Sequence, residues 1–133
     1  MTEKPILVVA GILKEGDRIL ICQRRRSDPY ELQWEFPGGK VEDGESPDAA
    51  LRRELKEELD IWAEPGGEVY RVQHRYPDRY VEVVFFAVMS FHGEVCNQVF
   101  ERIEWASRSD LRQYRFLEAD RDLVEQLSRG GIV

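Results

Sequence analysis

The chain has 133 residues, 42% of them apolar, and a formal net charge of −7. That length suits one domain, expected to span residues 1–133 around a single core. The acidic balance excludes a general binder of duplex nucleic acid, whose phosphates demand Lys and Arg, and no apolar run approaches the roughly 20 residues of a membrane span. The first residues lack the basic start and long apolar stretch of a secretory signal. Cys22 and Cys96 show no metal-type spacing, and Cys22 lies in an apolar run. Reduced thiols in a cytoplasmic protein are therefore expected.

Taken in chain order, Pro5–Leu13 and Arg18–Arg24 read as two strands, rich in Ile, Val and Leu, joined by a turn at Gly16-Asp17. "SDPYELQ" reads as a polar loop, and "WEFPGGK" as a constrained loop whose glycines let backbone approach closely. The pattern then changes to a helix. Ser46 suits its cap, Pro47 its first position and Asp48 its positive end. Leu51, Leu55 and Leu59 make a buried stripe, and the helix should stop near Asp60. Pro65–Gly67 reads as a turn, followed by two strands around a Pro77-Asp78 turn, then a short strand "RIEWAS". A helix over Leu117–Ser128 and a fraying tail at Gly130-Gly131 complete the chain. Strands flanked by helices predict an α/β domain with a mixed sheet between helices.

The central helix gathers Glu54, Glu57 and Glu58 on one face, away from its leucines. Taken alone this is an ordinary solvated face, and Arg52, Arg53 and Lys56 stand ready to neutralise it. The glycine loop before it supports a second reading. Hard divalent cations take carboxylate and carbonyl oxygens, and close carboxylates repel until a cation arrives.

The spacing Gly39, five residues, Glu45, seven residues, Arg53-Glu54-Leu55, one residue, Glu57-Glu58, two residues, Ile61 resembles the Nudix box. The departure is Asp60, where the family pattern has Gly; a left-handed residue at a helix end tolerates Asp, so a mild structural change is expected. "WEFPGGK", "QRR" and "YPDRY" further resemble the MutT branch, the nucleoside triphosphate pyrophosphohydrolases. The resemblance implies a Nudix-type αβα sandwich, with the box as loop–helix–loop. It implies Mg²⁺, with Mn²⁺ as an alternative ion, held by Glu54, Glu57, Glu58 and the Gly38 carbonyl. Glu54 would also orient or deprotonate the attacking water, Arg53 would hold the glutamates by ion pairing, and Glu45 would tie loop to helix. Lys40 would neutralise a phosphate.

For the rest of the substrate, Arg24 and Arg79 align with nucleotide-contacting positions of MutT, and each reads equally well as a surface arginine. Trp34 and Phe36 stack on a base or belong to the core. His74 and His92 have no ligand partners and read as structural or exposed. Asp120 aligns with the asparagine that reads 8-oxoguanine; an ionised aspartate offers acceptors only, and a helix-terminal acid without substrate contact is the other reading. A further MutT glutamate falls on Val99, with Glu101 and Glu104 out of register. The implied activity is release of nucleoside monophosphate and pyrophosphate from a small nucleotide, foremost 8-oxo-dGTP, with CTP, dCTP or a modified dCTP next. A different diphosphate substrate and a catalytically silent nucleotide-binding module are the remaining readings.

Overall fold

A computed structural model describes residues 3–133. Seven strands form one sheet: β1 (Ile6–Glu15), β2 (Arg18–Gln23), β3 (Trp34–Glu35), β4 (Gly38–Lys40), β5 (Trp62–Arg75), β6 (Tyr80–His92) and β7 (Arg102–Ser107). The main path runs β3-β2-β1-β6-β5, with β4 beside β1 and β7 beside β2. Strands β1 and β6 are parallel, from Ile6 opposite Val81 to Leu13 opposite Val88, and the other pairings are antiparallel, so the sheet is mixed.

The apolar runs of β1 and β2 are continuous because both faces are covered. Val9, Leu13, Leu20 and Cys22 join Leu51, Leu55 and Leu59 of α1 (Pro47–Leu59) in one core. Ala10, Ile12, Ile19 and Ile21, alternating with them, join Leu123, Val124 and Leu127 of α2 (Arg121–Ser128) in the other. Helix, sheet, helix is the predicted sandwich.

Helix α1 obeys its sequence signals closely. Ser46 Oγ accepts from the Ala49 N–H at 3.3 Å, and Pro47 opens the helix. Asp60 closes it in the left-handed region, φ 59° and ψ 38°, with its N–H donating to the Lys56 carbonyl at 3.1 Å.

Four expectations need correction. Pro65–Gly67 is no turn; it lies inside β5, where successive register shifts let one long strand bend while staying paired to β6. The "WEFPGGK" loop contributes two short strands, β3 and β4, to the sheet. The C-terminal helix starts as a 3₁₀ turn over Glu118–Asp120, after an unforeseen 3₁₀ turn at Arg108–Gln113. The glycine tail is tied down: the Arg108 guanidinium donates to the Leu127 carbonyl at 3.2 Å, to that of Gly131 at 3.1 Å and to that of Val133.

Candidate active site

The acidic face of α1 looks onto β4, and Arg53 organises it. Its guanidinium donates to Glu45 at 2.8 and 3.0 Å, to Glu54 Oε1 at 2.8 Å and to the Lys40 carbonyl at 3.0 Å. Glu57 Oε2 stands 3.6 Å away. The hydrogen bonds from Arg53, then from the Glu42 N–H, hold Glu45 down to about 2. Loop and helix are thus tied as expected, and Glu54 is held against the glycines.

Those glycines are required sterically. A Cβ on Gly39 would sit 2.5 Å from the Glu54 carboxyl carbon, and one on Gly38 would sit 1.9 Å from the Val9 carbonyl oxygen. The Gly38 N–H donates to Glu58 Oε1 at 3.0 Å. Even so, burial first, then the charges of Glu54 and Glu35, pushes Glu58 up to about 9. Burial also raises Glu54, against the pull of Arg53. Two carboxyls both shifted toward the protonated form mark a place short of positive charge.

An all-oxygen set of Glu54, Glu57, Glu58 and a backbone carbonyl fits a hard divalent cation. Among the described residues, no three acidic, His or Cys side chains are already drawn together as a ready-made cluster. The reason is local: Glu54 is turned to Arg53 and Glu58 to the Gly38 N–H, so a cation has to compete for those oxygens.

A cavity of about 170 Å³ runs beside this face, and Glu58, Gly38, Gly39 and Lys40 contribute to its wall. Arg24, Arg79, Phe36 and Asp120 line the same cavity. The structure therefore brings the box together with residues far from it in sequence. Arg24 donates from Nε to the Pro29 carbonyl at 2.7 Å and from Nη1 to Glu35 at 3.1 Å. Arg79 sits over the rings of Tyr30 and Tyr76, 5.8 and 5.6 Å from their centroids. Its Nε is buried with no hydrogen-bond partner among the described residues. Phe36 is core and wall at once, stacked on Phe116 at 5.3 Å while reaching the cavity.

Trp34 is different. It is 6% exposed, does not line the cavity, and packs edge-on against Tyr114 at 4.9 Å. Its backbone grips Arg115 and Leu117 instead, with N···O distances of 2.8 and 3.0 Å, which sets the segment that carries Leu117 into the cavity wall. Of the two readings of Trp34, this placement matches the core one.

Asp120 is 5% exposed, and its side chain makes no capping hydrogen bond to α2. Burial, then the nearby charge of Glu35, raises it well above the ordinary aspartate range. Asp120 thus stands at the N-terminus of α2 and also in the wall of the cavity. The acid that sequence reasoning missed is Glu35. It lines the cavity, is raised by burial against the pull of Arg24, and acts electrostatically on both Glu58 and Asp120. Its signal was its place inside the "WEFPGGK" motif. Val99 and Glu101 line no part of the cavity, and Glu104 is committed to the Tyr114 hydroxyl at 2.5 Å and to Arg102. His74 bonds to Glu118 at 3.0 Å, and no helix is long and apolar enough to cross a membrane among the described residues.

A sequence profile of the NUDIX domain matches residues 4–127. This chain belongs to the Nudix family. Among its relatives, a CTP pyrophosphohydrolase of Escherichia coli is 38% identical over 92% of this chain and 90% of its own. An 8-oxo-dGTP diphosphatase of Haemophilus influenzae is 36% identical over 96% and 94%. The crystal structure of a MutT Nudix hydrolase from Burkholderia pseudomallei superposes with a TM-score of 0.83 at 29% identity, covering 93% of this chain and 98% of that one.

Proposed function

We propose that this Nudix hydrolase is a cytoplasmic, Mg²⁺-dependent nucleoside triphosphate pyrophosphohydrolase acting on 8-oxo-dGTP, with dCTP as its second substrate. The observation that carries the reading is the one cavity lined both by the box residues Gly38, Gly39 and Glu58 and by Asp120, Glu35 and Arg79. Relatives named for 8-oxo-dGTP and for CTP support it.

Glu54, Glu57, Glu58 and the Gly38 carbonyl would hold the cation, which supplies charge neutralisation of the phosphates and a lowered pKa for bound water. Glu54 orients the water and takes its proton, and Arg53 fixes Glu54 for that task. Lys40 and Arg24 balance phosphate charge along the cavity. The buried, unpartnered Arg79 Nε supports a nucleotide acceptor in that position, since an unsatisfied buried N–H costs about 1–3 kcal/mol.

Asp120 supplies selectivity through its proton. Burial favours its protonated form, which presents one donor and one acceptor, as an asparagine does. Cytosine offers an acceptor ring nitrogen beside an amino donor, and 8-oxoguanine an acceptor O6 beside an N7–H donor. Guanine offers two acceptors there. One neutral carboxyl thus accommodates both proposed bases and disfavours dGTP.

The test is a panel of dGTP, 8-oxo-dGTP, dCTP and their analogues with Mg²⁺ in ¹⁸O water. Turnover of 8-oxo-dGTP and dCTP above dGTP is expected, with label in pyrophosphate, the mark of attack at the β-phosphorus. Label in the monophosphate refutes the attack site, and a preference for sugar nucleotides or dinucleoside polyphosphates refutes the substrate class. Absence of turnover with retained nucleotide binding identifies a silent module.

A further inference from the structure

A second cleft, of about 300 Å³, lies beside the segment that walls the nucleotide cavity. That segment gives Leu117, Ala119 and Asp120 to the first cavity, and Phe116 and Arg121 to the second. Arg112, Arg115 and Arg121 line the second cleft, and Glu125 is its acid. Three guanidinium groups against one carboxylate make a positive hollow in a chain of net charge −7.

The acid in the cleft and three others near it are already engaged. Glu125 accepts from Arg112 at 3.3 Å and from Arg129 at 3.0 Å. Glu104 is held by Tyr114 and Arg102, Asp110 by Ser107 and Gln113, and Glu118 by His74. Among the described residues, neither Arg115 nor Arg121 has a carboxylate within 4.0 Å. Arg121 donates from Nε to the Phe116 carbonyl at 3.2 Å, which fixes its base and leaves its terminal nitrogens. The wall is rigid: Phe116 is 2% exposed and stacked on Phe36, and the Arg115 carbonyl is held by the Trp34 N–H.

We propose that this cleft is a second anion site, separate from the nucleotide cavity, that takes the phosphoryl group of a small molecule. Guanidinium forks match phosphate oxygens in geometry and charge. The positive groups are confined to one hollow rather than strung along a track, and the acidic chain as a whole repels polyanions, so a compact anion fits better than a nucleic-acid backbone.

The experiment is a ¹H–¹⁵N titration of the Mg²⁺-free protein with inorganic phosphate, against chloride at matched ionic strength. Saturable shifts at Arg112, Arg115, Arg121 and Glu125 are expected, with Kd on the order of 1 mM. The double variant Arg115→Gln, Arg121→Gln should weaken this binding tenfold or more while leaving the rest of the spectrum, and so the fold, unchanged. Shifts that never saturate, an equal response to chloride, or unchanged affinity in the double variant overturn the site. A single-stranded oligonucleotide that binds there more than tenfold tighter than phosphate overturns the small-anion assignment.

Discussion

Glu58 carries the electrostatic cost of the site. Its carboxyl ionises near 4.5 in the unfolded chain and at about 9 in the folded one. The folded state thus binds this proton more tightly, and the fold loses stability as pH rises from about 4.5 toward 9. Glu58→Gln keeps an acceptor for the Gly38 N–H and removes the charge. At pH 8 without metal, the variant should melt higher than the parent, by on the order of 5 °C. The parent should gain stability on adding Mg²⁺ and the variant far less; differential scanning calorimetry at pH 5 and pH 8 measures both. Asp120 makes the parallel case for selectivity. If its proton reads the base, kcat/KM should fall as rising pH ionises Asp120. Asp120→Asn should keep kcat/KM for 8-oxo-dGTP within a few-fold and flatten that fall. Asp120→Ala should lose about tenfold or more, the size of one hydrogen-bond mismatch. A pH–rate profile of the three proteins decides it, and an Asn variant that retains the fall would assign the titration to another group.

At the scale of elements, α1 is built to hold its acids still. Its leucines at every fourth position are fully buried, which fixes the helix rotation and leaves Glu54 and Glu58 facing β4. Its end is less than ideal, because Asp60 occupies a left-handed conformation that glycine adopts freely. Asp60→Gly should stabilise the protein by about 0.5–1 kcal/mol. The lost Lys56–Asp60 pair, 2.5 Å but exposed, offsets little of this. Urea unfolding is the measurement, with turnover unchanged. Strand β5 shows the opposite relation between motif and element. Proline and two glycines together usually end a strand, yet here the pairing to β6 resumes on either side of them.

Across the whole molecule, Arg108 is the buried charge that joins the β7 end of the sheet to the C-terminal helix and tail. Arg108→Gln leaves several carbonyls without a donor and should cost about 2–4 kcal/mol in urea unfolding. Because this contact is at the end of α2 away from Asp120, Mg²⁺-dependent turnover at low temperature should survive. The sequence by itself determined the sandwich, the caps and rotation of α1, and the box carboxylates. These follow from local rules of periodicity, capping and fixed spacing, each contained within one short segment. It also marked Arg24, Trp34, Phe36, Lys40, Arg79 and Asp120 as candidate substrate-binding residues. Only the tertiary structure decided which of them share a cavity, that Trp34 stands outside it, and that Glu35 stands within. It alone decided that Asp120 is buried near another acid, which favours a protonated carboxyl, a donor and an acceptor, over the pair of acceptors an ionised one offers. The physical reason is that burial and the field of neighbouring charges are set by strands paired across the whole chain, and no local pattern encodes them.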